Sequence, residues 1–71
     1  MLFTDLSSER IIRAFEKRGF WVLQRGGSKH VGMSNGTRRI TIPRHSCVNP
    51  YTLKEIIRDA GLTDQEFKEL L

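Results

Sequence analysis

Helical and strand rhythms alternate along the 71-residue chain. Between Thr4 and Arg18, Ile11, Ile12 and Phe15 recur at helical spacing with Ala14 beside them, which predicts a first helix with one apolar face. Ser7 offers a hydroxyl to an N–H of the first turn, and Glu9 suits the positive end of the helix dipole. Lys17 and Arg18 suit the negative end, and Gly19 supplies the left-handed residue that stops the helix. Phe20 to Arg25 is then rich in β-formers and reads as a strand, broken by Gly26-Gly27-Ser28. From Lys29 to Met33 the pattern alternates, with Lys29, Val31 and Met33 on one face and His30 on the other. Ser34-Asn35-Gly36-Thr37 predicts a tight type I′ hairpin turn. Arg38 to Ile42 is the third strand, with Ile40 and Ile42 on one face and Arg39 and Thr41 on the other; Pro43, lacking an N–H, ends it.

Arg44 to Tyr51 reads as a loop containing an Asn49-Pro50 turn. Helical rhythm returns after Thr52, which forms a capping box with Glu55; Leu53, Ile56, Ile57 and Ala60 make the apolar stripe and Gly61 closes the helix. Thr63 to Glu66 repeats the capping-box pattern and opens a short last helix bearing Phe67, Leu70 and Leu71. No repeat, linker or low-complexity stretch interrupts this order, so residues 1–71 read as a single domain. The expected fold is α+β, in the order α-β-β-β-α with a short C-terminal helix. A three-stranded antiparallel sheet with its helices on one face is the natural packing, the layout of a double-stranded-RNA-binding-like domain.

A chain this short buries only about 60% of the surface it exposes when unfolded, which favours a shallow site over a closed cavity. Cys47 is the single cysteine, so no internal disulfide forms, and with two histidines it falls short of a thiolate zinc site. The cytosol is the expected compartment. No basic-then-apolar leader and no window long enough to span a bilayer occurs, so no membrane association is expected.

Charge changes the picture more than composition does. The formal net charge is +4, and from Lys17 to Lys54 there is no Asp or Glu, while Lys17, Arg18, Arg25, Lys29, Arg38, Arg39, Arg44 and Lys54 all fall there. The acids stand at the two ends. A basic centre holding both histidines points to a phosphate-binding face and hence to nucleic acid. Trp21 is expected to pack rather than to stack on a base.

Cleavage of RNA without a metal needs one group to take the 2′-hydroxyl proton and one to protonate the leaving oxygen, with cations to steady the phosphorane. Histidine suits the first two tasks because an imidazole changes charge near neutral pH, and Arg or Lys suits the third. His30 follows a glycine turn that lets a phosphate approach the backbone. Ser28, Lys29, Arg38, Arg39, Arg44 and His45 are the candidate RNA contacts around it. Carboxylates are missing from the centre, so neither a Ser-His-Asp arrangement nor a metal site is expected, and no cofactor is implied. On the residues alone, a non-catalytic RNA-binding module of the same fold and a surface for docking another protein remain open beside the nuclease.

Gly27-Ser28-Lys29-His30-Val31, then Asn35-Gly36-Thr37-Arg38-Arg39-Ile40-Thr41-Ile42-Pro43-Arg44-His45-Ser46, then Thr52-Leu53-Lys54-Glu55-Ile56-Ile57-Arg58-Asp59-Ala60-Gly61-Leu62 resemble the HicA toxins in this order and spacing. The opening helix ending in Arg18-Gly19-Phe20 is similar too, and the resemblance covers nearly the whole chain. It implies the toxin of a type II toxin–antitoxin pair with a double-stranded-RNA-binding-like fold. It further implies an endoribonuclease acting on mRNA through a histidine of the Gly-Ser-x-His region, matched here by His30, and a HicB-type antitoxin that covers the active face. His45 matches the family's histidine after the proline. Lys29 stands where many members of the family carry a histidine.

Overall fold

Two glycines with positive φ frame the helical parts of the chain. Gly19 (φ +94°) and Gly61 (φ +77°) end the two longer helices in a conformation that costs an L-residue with a side chain about 1–2 kcal/mol. The computed structural model describes residues 2–24 and 29–71. Its elements are helix α1 (Ser8–Lys17), strands β1 (Trp21–Gln24), β2 (His30–Ser34) and β3 (Arg39–Pro43), and helices α2 (Pro50–Asp59) and α3 (Asp64–Lys68). The strands form one antiparallel sheet in the order β1-β2-β3. This is the expected α+β, double-stranded-RNA-binding-like layout.

Alternation along β2 and β3 decides what the sheet presents to each side. Val31, Met33, Ile40 and Ile42 are all at most 2% exposed and join one core with Ile11, Ile12 and Phe15 of α1 and Leu53 and Ile57 of α2. Full burial of each such side chain contributes roughly 1.5–3 kcal/mol. His30, Arg39 and Thr41 lie on the opposite, open face. Phe67 carries α3 into the same core, where its ring lies 5.2 Å from those of Phe3 and Phe15. Phe15 also meets Phe20 edge-on at 5.4 Å.

The structure corrects several element boundaries. The first helix starts at Ser8 rather than Thr4, because the Ser7 side chain accepts from the Arg10 N–H and fixes the start there. The second helix starts at Pro50, not after Thr52. Asn49 Oδ1 accepts from the Tyr51 and Thr52 N–H groups, and Pro50 has its φ preset for the first helical position. The expected Thr63–Glu66 capping box is present in full.

The β2–β3 turn also differs from the type I′ expectation. Gly36 has φ +93° but Asn35 is not left-handed, so positive φ falls only on the first central residue of a turn centred on Gly36 and Thr37. Asn35 Oδ1 takes the Thr37 and Arg38 N–H groups, and the short polar side chain does what a second left-handed residue was expected to do.

Candidate functional site

The β2–β3 ladder places His30. The pairs run from Ser34–Arg39 to His30–Pro43, and outer rungs are closed by Asn35 N–H to Arg38 O at 3.2 Å and Arg44 N–H to Lys29 O at 2.9 Å. Hydrogen-bonded and non-bonded pairs alternate in an antiparallel ladder, so counting inward from either end makes His30–Pro43 a non-bonded pair. Pro43 therefore lacks an N–H where β2 requires none, and β3 is an edge strand with no described strand on its other side. This is why the proline is tolerated as the last residue of β3 rather than the first residue after it, with one further backbone bond beyond it from Arg44 N–H to Lys29 O.

That extra rung brings Arg44 next to the start of β2. The following loop is held at both ends by the N-terminal segment. The His45 carbonyl accepts from the Ser8 N–H at 3.0 Å, and the Val48 N–H donates to the Leu6 carbonyl at 2.8 Å. Val48 and Leu6 are themselves buried. The loop that carries His45 thus serves as a backbone cap for α1, and α1 holds it in place.

Lys29, His30, Arg44 and His45 consequently line one open depression of about 540 Å³. Lys29 and His30 were expected on opposite faces. The strand begins at His30, so Lys29 lies in the bend before it, outside the strict alternation, and both residues line the same depression. Two permanent cations beside two imidazoles suit a phosphate: Arg can hold two of its oxygens at once, and Lys adds a compact charge. None of the described lining residues is acidic.

The other expected site residues divide. Arg39 lies on the open face opposite Ser34, and its Nη2 reaches toward Gly32, on the way to His30. Arg38 is engaged elsewhere. Its Nη1 donates to the Asp59 carbonyl at 3.3 Å, and its guanidinium covers Gly61 at the end of α2. Arg38 stands five positions before Pro43, so it sits roughly 17 Å along the strand from His30's partner. Ser28, Arg25 and the Gly26-Gly27 turn lie outside the described residues. Lys17 and Arg18, part of the basic run, hold α3: Lys17 Nζ donates to Leu70 O at 3.2 Å, and Arg18 Nη2 meets Glu66 Oε2 at 3.0 Å.

A smaller depression of about 360 Å³ lies between α1 and the last residues, lined by Arg10, Arg13, Lys17, Leu70 and Leu71. It holds cations but no group able to exchange a proton near neutral pH. Among the described residues, no cluster of three or more His, Cys, Asp or Glu side chains could hold a metal ion. No described helix is long and apolar enough to cross a membrane.

Sequence reasoning missed two positioning residues, Leu6 and Val48. Each is an isolated apolar residue in a polar stretch, with no periodicity to reveal it. It also gave no role to Gly32, although a glycine among β-formers in a central strand often marks a close approach.

Residues 8–62 match the family model described as the HicA toxin of bacterial toxin–antitoxin. No curated protein and no solved structure matches the chain. The matched span runs from the start of α1 through α2 and includes the ladder, the His45 loop and every described residue lining the His30 depression. The chain belongs to the HicA toxin family of bacterial toxin–antitoxin systems.

Proposed function

We propose that the protein is an endoribonuclease that cleaves mRNA at the His30 depression. The observation that carries this reading is the meeting of His30, His45, Lys29 and Arg44 at one solvent-open end of the β2–β3 ladder. His30 acts there as general acid or base. When the 2′-hydroxyl loses its proton, its oxygen attacks phosphorus, the bond to the 5′-oxygen breaks, and that oxygen leaves with a proton. Lys29 and Arg44 stabilise the added negative charge of the phosphorane. His45, Arg39 and Ser28 contact the RNA, while Arg38 serves the end of α2. The reaction in this form uses no metal and yields a 2′,3′-cyclic phosphate and a 5′-hydroxyl.

A HicB-type antitoxin neutralises the toxin by covering this cationic depression, so part of its affinity is electrostatic. The alternative is an RNA-binding module of the same fold without catalysis, favoured by Lys29 standing where many relatives carry a histidine. Incubating the purified chain with mRNA in the presence of a chelator and identifying the new termini separates the two. Cyclic phosphate ends support the nuclease. Intact RNA, or 5′-phosphate ends, contradicts it.

A further inference from the structure

Trp21 was expected to pack, yet it is 50% exposed on the open sheet face, with Leu23 beside it at 45%. The register explains their position. Trp21 pairs with Ser34 and Ser34 with Arg39, which sets these residues in one row across the three strands. Leu23 is the extra residue of a bulge between Val22 and Gln24, and Gln24 pairs with Gly32. Trp21 and Arg39 therefore flank Ser34, with the Trp21 ring reaching toward Gly36, while Leu23 and Arg39 flank Gly32; Ser34 and Gly32 floor a trough that leads down β2 to His30.

Gly32 is the informative residue. Its φ is not positive, and a Cβ added there would come no closer than 4.0 Å to Arg39 Nη2 and Leu23 Cβ. Neither backbone geometry nor crowding demands glycine in the middle of this strand. A bare backbone here leaves room for a flat group to lie on the sheet between Leu23 and Arg39, next to Trp21. The described residues of this face are Trp21, Leu23, His30, Gly32, Ser34, Arg39, Thr41 and Pro43, with the Arg39 cation and no acid among them.

We infer that Trp21, Gly32 and Arg39 form a stacking subsite for an unpaired RNA base beyond the one at the cleaved phosphate. The inference rests on the reading of the His30 depression as an RNA-cleaving site. An indole offers a π-face to any base, Arg39 adds a cation for the adjoining phosphate or ring, and the absent side chain at Gly32 admits the base. Ser34 and Arg39 stand four residues from His30 and Pro43, about 13 Å along the strands. The trough therefore engages a base beyond the one at the cut and favours single-stranded over duplex RNA.

Trp21 is the only tryptophan, so its fluorescence reports this surface directly. The probe is a 2′-O-methyl oligonucleotide, which binds but lacks the attacking hydroxyl, with inorganic polyphosphate as a base-free control. The oligonucleotide should quench Trp21, and polyphosphate should not. Trp21→Ala should weaken oligonucleotide binding roughly 5- to 150-fold, with Trp21→Phe restoring most of it. Gly32→Val should keep or raise the melting temperature while lowering affinity at least as far. Equal quenching by polyphosphate, or wild-type affinity in both Trp21→Ala and Gly32→Val, overturns the subsite. Loss of antitoxin binding in these variants with RNA affinity unchanged also overturns it, and assigns the face to protein. Cleavage of a dinucleotide reads the His30 site separately. Cleavage without quenching removes the subsite alone, and quenching without cleavage removes the nuclease reading alone.

Discussion

The backbone carbonyl of His45 accepts the N–H of Ser8 at 3.0 Å, so the loop that carries one histidine of the candidate site is also a cap on the first helix. Site geometry and helix stability are coupled through this contact and its neighbour, Val48 N–H to Leu6 O. Leu6→Ala removes a buried side chain from the strap that anchors the loop, and core truncations of this kind cost about 2–5 kcal/mol. The expected outcome is a lower melting temperature together with reduced RNA cleavage at temperatures where the variant is still folded. Unaltered cleavage per folded molecule would show that the strap does not position His45.

Arg38 and Arg44 lie on the same hairpin and should behave oppositely. Arg38→Ala loses the contact to Asp59 O and the cover over Gly61, and should lower stability by about 0.5–1.5 kcal/mol in a urea titration while leaving RNA affinity nearly unchanged. Arg44→Ala should lower RNA affinity. Gly61→Ala tests the same corner from the other side. Its Cβ would lie 2.6 Å from Arg38 Nε at φ +77°, so a loss of more than about 1 kcal/mol is expected.

The capping positions give a sharper test of the second helix. Asn49→Ala should cost about 0.5–2 kcal/mol, whereas Thr52→Ala, already inside the helix, should fall within about 0.5 kcal/mol of wild type. Equal losses in chemical denaturation would mean that the helix starts at Thr52 after all.

This difference shows how far the sequence reaches. The apolar stripes Ile11-Ile12-Phe15 and Leu53-Ile56-Ile57, and the alternation Val31-Met33 against Ile40-Ile42, are local periodic signals, and the fold follows from them. His30 on the open face was legible for the same reason. The helix start at Pro50, capped by Asn49, was not, because Thr52-Glu55 offers a competing local cap three residues further on. The meeting of Lys29 with His30 depended on where the strand begins, a boundary that no periodicity fixes. The division of the arginines depended on contacts with residues distant in sequence, Asp59 and Gly61 for Arg38 and Glu66 for Arg18.

Glu66 gives the pH dependence. Its carboxyl is held below the ordinary carboxylate range, first by the Thr63 backbone N–H, then by the Thr63 hydroxyl, and further by Arg18. A pKa lower in the folded than in the unfolded state means that the carboxylate's contribution is fully present above the ordinary carboxylate range. It is lost as pH falls through the lowered folded value. Glu66→Gln should therefore be less stable than wild type at neutral pH, with the gap closing in acid. Urea midpoints at pH 7 and pH 3 check this; a gap that widens in acid contradicts it.

Phosphate binding at the depression should show in the salt dependence of RNA affinity. Lys29→Ala and Arg44→Ala should each weaken binding to single-stranded RNA and reduce the slope of log affinity against log salt by about 0.7. Antitoxin affinity should also fall with salt. Slopes identical to wild type in both variants would place the phosphate elsewhere.

His30 is proposed to perform the proton transfer. Cleavage of one mRNA by wild type, His30→Ala and His45→Ala, each at matched RNA saturation and with its melting temperature recorded, tests it most directly. His30→Ala should fold and bind RNA but cleave on the order of 10²–10⁴-fold more slowly. Cleavage by His30→Ala at the wild-type rate would contradict it.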